Sequence, residues 1–192
     1  MSALRDDVDP EGLLEFSVVF SDRSLNSMSA VFGDVMRDIS RILKQAYNAG
    51  SMAVVPGGGT YGMEAIARQF ASNKSALIIR NGWFSYRWSQ ILDAGDIAKT
   101  QTIIKASQLS DDPTSPFAPA SLEKIVAQIT KQQPDIVFCP HVETSAGIIV
   151  PDSFIKQVSD AVHDVGGLFV LDCVASGTLF VDMQATGVDV LL

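Results

Sequence analysis

The sequence predicts an α/β fold, a mostly parallel sheet with helices on both faces, and three features carry that expectation. Short apolar runs of strand length alternate with amphipathic stretches of about a dozen residues, the layout of crossover units between parallel strands. The runs Ala76–Arg80, Asp135–Cys139 and Leu168–Asp172 consist almost entirely of Ala, Ile, Leu, Val and Phe, as strands buried on both faces must. Each is followed by small or polar residues, and in open parallel sheets ligands sit beyond the carboxyl ends of the strands. Asp172 closes one such run, where the strand itself cannot solvate a carboxylate.

Taken in order, residues 1–25 read as an extended N-terminal arm. From about residue 26, Met28, Val31, Phe32, Val35, Ile39, Ile42, Leu43 and Ala46 recur at the spacing of one long amphipathic helix. Then follow a strand at Ser51–Val55, a helix at Thr60–Phe70, a strand at Ala76–Arg80, a helix at Phe84–Leu92 and a strand at Thr100–Lys105. Asp111–Pro119, rich in Pro and Ser, reads as a loop. Ser121–Lys131 is a helix with Leu122, Ile125, Val126 and Ile129 on one side. A strand at Asp135–Cys139, a helix at Pro151–Val165 and strands at Leu168–Asp172 and Val188–Leu192 complete the series.

The 192 residues, 47% hydrophobic and 19% charged, suffice for one domain with a sizeable core. No apolar run approaches the roughly 20 residues that span a bilayer, and the start lacks the basic-then-apolar layout of a signal peptide. A cytoplasmic protein is expected. Net charge of −8 argues against a nucleic-acid groove. Cys139 and Cys173 both follow apolar strand-like runs and read as buried free thiols. The sequence stops on the apolar segment Gly187–Leu192, which reads as part of a longer chain.

Three segments bear candidate chemistry. Val54-Val-Pro-Gly57-Gly58-Gly59-Thr60-Tyr-Gly62 reads as a glycine loop at a helix start, where backbone amides and the helix dipole favour an anion. Thr60 would cap that helix or give its hydroxyl to a phosphate. No Lys-Ser/Thr follows, so this is not a nucleoside-triphosphate loop. Glycines 57, 59 and 62 do satisfy the dinucleotide fingerprint, and Arg80 stands where a 2′-phosphate would bind, so an NADP-binding oxidoreductase is one reading. Trp83, Phe84, Tyr86 and Trp88 follow the next strand; one of them is expected to stack on a flat ring. His141-Val-Glu143-Thr144-Ser-Ala-Gly147 follows another; His141 and Glu143 alone make no metal site, and Thr144 is placed to bond a ligand oxygen or cap its turn. His163 reads as a surface residue near a helix C-terminus.

Together, Gly58-Gly-Thr60…Glu64, Asn81-Gly-Trp-Phe84…Arg87, His141-Val-Glu-Thr144-Ser-Ala-Gly147 and Asp172-Cys-Val174-Ala-Ser176 resemble the large domain of class V, fold type I, pyridoxal-phosphate enzymes. The nearest branch is that of the alanine–glyoxylate and serine–pyruvate aminotransferases. The likeness runs from about residue 50 to the end; the glycine-proline opening common in that branch is absent. It implies pyridoxal 5′-phosphate as cofactor, with Gly58, Gly59 and Thr60 holding its phosphate. Phe84 would stack on one face of the ring and Val174 on the other. Thr144 would bond the ring hydroxyl, and Asp172 the protonated ring nitrogen as the catalytic acid partner.

The resemblance further implies a homodimer in which the arm and the first long helix pack on the partner. The activity implied is transamination between alanine or serine and glyoxylate or pyruvate. In such enzymes a lysine shortly beyond the last strand holds the cofactor as a Schiff base. None of Lys99, Lys105, Lys124, Lys131 or Lys156 stands at that place, so residues 26–192 are expected to form an incomplete large domain without the small C-terminal domain. A lyase or desulfurase of the same fold, the oxidoreductase, and a domain that only binds cofactor or dimerises stay open as alternatives.

Overall fold

A computed structural model describes residues 27, 28 and 30–192; the arm expected over residues 1–25 lies outside them. The chain divides into two compact units, Met1–Ala53 and Val54–Leu192. In the first, helix α1 (Ala30–Tyr47) carries the expected apolar spacing from Val31 to Ala46 but starts later than expected, with Met28 in a turn before it. Asp34 with Arg37 and Asp38 with Arg41 form exposed pairs one turn apart. Each such pair contributes only a few tenths of a kcal/mol. The apolar stripe of α1 leaves Val35, Ile39, Ile42 and Leu43 exposed, and the helix buries none of its residues.

The second unit contains helix α2 (Gly59–Phe70), strand β1 (Ser75–Arg80), helix α3 (Trp83–Ala94) and strand β2 (Thr100–Lys105). A short hairpin, β3 (Ser107–Gln108) with β4 (Phe117–Ala118), precedes helix α4 (Leu122–Gln132) and strand β5 (Ile136–Pro140). A second hairpin, β6 (Val142–Glu143) with β7 (Ile148–Ile149), wraps a 3₁₀ turn at Thr144–Ala146. Helix α5 (Asp152–Asp164), strand β8 (Leu168–Asp172), the short helix α6 (Met183–Thr186) and strand β9 (Val190–Leu191) follow.

Five strands pair in the order β2-β1-β5-β8-β9, every pair parallel. Strand neighbours alternate between the two faces, and so does the core. Leu77, Ile79, Val137, Phe169 and Leu171 pack with Ile125 and Ile129 of α4 and Ile155, Val158 and Val162 of α5. Ile78, Phe138 and Val170 pack on the other face with Met63 and Ala67 of α2 and Trp88 and Leu92 of α3. The fold is therefore the expected one, parallel and covered on both sides. Its chain order reverses between β1 and β5, and a crevice opens at such a switch point beyond the carboxyl ends.

Three local expectations need correction. Ser51–Val55 forms no strand: Val54 and Val55 are exposed, and β-branched residues extend stably only where a sheet surface buries them. The loop expected at Asp111–Pro119 contains the β4 bridge to β3. The last strand is shorter than expected, because Asp189 turns its carboxylate back to the amide of Phe169 and the ring of His163. Cys139 and Cys173 are buried free thiols, as expected. His163 is exposed near the end of α5.

Candidate functional site

Asp172 ends β8 with only 9% of its surface exposed, and its backbone carbonyl accepts from the amide of His141. One carboxylate oxygen accepts the indole N–H of Trp88 at 3.1 Å, the other the amide of Val174 at 3.1 Å. Trp88 is wholly buried and stacks on Phe138 with ring centroids 4.4 Å apart, which fixes where its N–H points. A carboxylate offers about four acceptor positions, so two donors leave it half satisfied. Burial drives its pKa above the usual carboxylate value; the Val174 and Trp88 N–H groups oppose the rise, and the charge of Glu143 adds to it. Such a group favours a cation beside it.

The glycine loop lies next to this acid. A Cβ on Gly59 would stand 3.1 Å from a methyl of Val174, the residue whose amide Asp172 holds. Helix α2 begins at Gly59 with Gly58 as its cap residue, and that start has no side-chain cap. Thr60 is therefore inside the first turn, exposed, and not the cap that the sequence allows for. Around Gly58 there is open space within 4 Å of where a Cβ would lie. Gly57 has φ +141°, and a Cβ there would meet the Tyr61 ring at 2.7 Å, so only glycine makes this turn. Gly62, the third fingerprint glycine, instead gives helix-to-strand clearance, since its Cβ would strike Leu192.

Phe84 lies one turn before Trp88 on α3 and is 55% exposed; Val174 is 60% exposed. Of the four aromatics, Trp88 is core, Tyr86 lies under the Arg80 guanidinium at 4.7 Å, and Trp83 and Phe84 remain open. Thr144 opens the exposed 3₁₀ turn between β6 and β7. The residues expected to hold a cofactor thus lie at the carboxyl end of β8, in the segments that directly follow β1, β5 and β8, and at the start of α2.

Glu143, which the sequence assigns no role beyond its place in the motif, has a structural one. It is fully buried, and each oxygen has two donors. The first takes the Phe84 amide at 3.1 Å and the Ser145 hydroxyl at 2.6 Å. The second takes the amide and hydroxyl of Ser85 at 2.9 and 2.6 Å. Burial works against its charge, but the bonds from Ser145, Ser85 and Phe84 outweigh it and hold the pKa below the usual value. His141 instead bonds Ser176 through Nδ1 at 2.7 Å, and burial lowers its pKa against the pull of Asp152. Among the described residues no three His, Cys, Asp or Glu side chains converge on a metal position, and no helix is long and apolar enough to cross a membrane.

Solved structures share this architecture. An alanine–glyoxylate aminotransferase from Nostoc sp. matches at 26% identity with a TM-score of 0.72, over 87% of this chain and 42% of its own. A ureidoglycine–glyoxylate aminotransferase from Bacillus subtilis matches at 21% and 0.71, over 87% and 41%. A pyridoxamine–pyruvate aminotransferase from Mesorhizobium loti matches at 15% and 0.70, over 88% and 41%. The chain thus spans less than half the length of the structures it resembles. No curated protein sequence matches it. The sequence model of class-V aminotransferases matches residues 16–192, beginning well before the motifs that carry the resemblance, and the chain belongs to that family.

Proposed function

We propose that this chain is the cofactor-binding part of a homodimeric, pyridoxal-phosphate-dependent aminotransferase. It would move an amino group from alanine or serine to glyoxylate or pyruvate. The observation that carries the reading is Asp172: buried, half satisfied, and joined through Val174 to an uncapped helix start at Gly59. That pairing suits a ligand with a cation at one end and a dianion at the other. Membership of the class-V family supports pyridoxal 5′-phosphate as that ligand, whereas an oxidoreductase built on the glycine fingerprint offers no cation for Asp172. When bound, the cofactor supplies an electron sink for the substrate α-carbon.

This chain's residues then divide the task. Gly58, Gly59 and Thr60 receive the phosphate at the positive end of α2. Phe84 and Val174 hold the two faces of the ring and keep water from them. Thr144 gives a hydrogen bond to the ring hydroxyl. Asp172 holds a proton on the ring nitrogen, because the pair of opposite charges is favoured where either alone is costly. The exposed stripe of α1 supports burial against a second subunit.

The test is incubation of the protein from its natural source with pyridoxal 5′-phosphate, alanine and glyoxylate. Stoichiometric pyruvate and glycine are expected. Sulfide from cysteine without amino transfer would replace this reading with the desulfurase one. NADPH binding without any response to pyridoxal 5′-phosphate would restore the oxidoreductase.

A further inference from the structure

Glu143 reaches α3 from a hairpin 58 and 59 residues away in sequence. Five consecutive amides at the start of α3 end in one small network. Those of Asn81 and Gly82 donate to the Ser85 hydroxyl oxygen at 2.9 and 3.1 Å. That of Trp83 donates to Ser145 at 2.8 Å, and those of Phe84 and Ser85 donate to Glu143. The hydroxyls of Ser145 and Ser85 each donate a hydrogen bond to the same carboxylate. A Cβ on Gly82 would stand 2.7 Å from Glu143 and 2.4 Å from Ser145, so the residue capping α3 must be bare for the network to close.

An ordinary helix cap is local and spares one or two amides. A wholly buried carboxylate from another segment is costly, and it persists because four donors and the helix dipole compensate it. Two residues proposed to hold the ring flank this network. Phe84 gives it an amide, and Thr144 follows Glu143 directly. We infer that Glu143 is a positioning residue, a clamp between α3 and the β6–β7 hairpin that fixes Phe84 and Thr144 relative to one another on either side of a single binding site. The inference rests on the cofactor reading for what the two residues grip, and on the hydrogen bonds alone for the clamp.

The test uses the full chain with Glu143→Gln, which keeps the shape but turns an N–H group toward donors, and with Ser145→Ala as a milder variant should the first not fold. Amide exchange at Phe84 and Ser85 is followed by NMR, and pyridoxal 5′-phosphate affinity by equilibrium dialysis, each in wild-type and Phe84→Ala backgrounds. Glu143→Gln is expected to speed exchange at both amides and to weaken binding ~10-fold, the effect of stranding one buried donor. In the Phe84→Ala background the loss should shrink, because the clamp acts through that ring. Unchanged exchange, or an equal loss in both backgrounds, overturns the inference. If wild type binds no pyridoxal 5′-phosphate while Glu143→Gln still frees the two amides, the clamp stands and the cofactor reading falls.

Discussion

Glu143 and Asp172 are both buried carboxylates at or just beyond the carboxyl ends of neighbouring strands, yet they are opposites in chemistry. Glu143 has four donors and a lowered pKa; Asp172 has two donors and a raised one. The helix starts beside them differ in the same way. That of α3 is filled by the protein's own carboxylate, whereas that of α2 has no side-chain cap and open space at Gly58. A saturated acid and a filled helix start are architecture. The unsaturated acid and the open helix start point to a ligand bearing both a positive and a negative group.

The sharpest way to break this contrast is Asp172→Asn. It should weaken pyridoxal 5′-phosphate binding by ~100-fold, as losing one partner of a buried charge pair does, while leaving the free chain folded, as measured by dialysis and circular dichroism. Next comes Gly82→Ala, whose methyl enters the Glu143 network and should destabilise the chain by ~1–3 kcal/mol in urea unfolding. Trp88→Phe keeps the stack on Phe138 but removes one of Asp172's two donors, for a loss of ~1 kcal/mol.

The pH dependence separates the two acids further. Because Asp172 has its folded pKa above the ordinary 3.8, its contribution is full below that value and lost as pH rises through the raised one. Glu143, held below 4.5, contributes fully above that value and loses its effect as pH falls through the lowered one. Urea unfolding against pH should show the loss with rising pH disappear in Asp172→Asn and the loss with falling pH disappear in Glu143→Gln. The smallest effect is expected at His163→Ala, which breaks an exposed pair with Asp189 at 2.9 Å and should shift stability by no more than ~0.5 kcal/mol.

How much of this was legible in the sequence follows from what each element depends on. The strands Ala76–Arg80, Asp135–Cys139 and Leu168–Asp172 could be read because two-sided burial leaves an unbroken apolar run. Asp172 stood out because it interrupts one. Ser51–Val55 misled, since β-branched residues state a preference that only burial realises. The Glu143 network was hidden because its two halves are some 60 residues apart in sequence, and the pair His141 and Glu143 invites a metal reading instead. Trp88 carried a usable signal: it follows Phe84 by one helical turn, and a buried acid needs a donor.

We propose that the cation Asp172 pairs with is a protonated ring nitrogen of the cofactor. The direct measurement is the ¹⁵N chemical shift of pyridine-labelled pyridoxal 5′-phosphate bound to the full chain at neutral pH. The account predicts a protonated nitrogen in wild type and an unprotonated one in Asp172→Asn. An unprotonated nitrogen in wild type, or the same shift in both proteins, would contradict it.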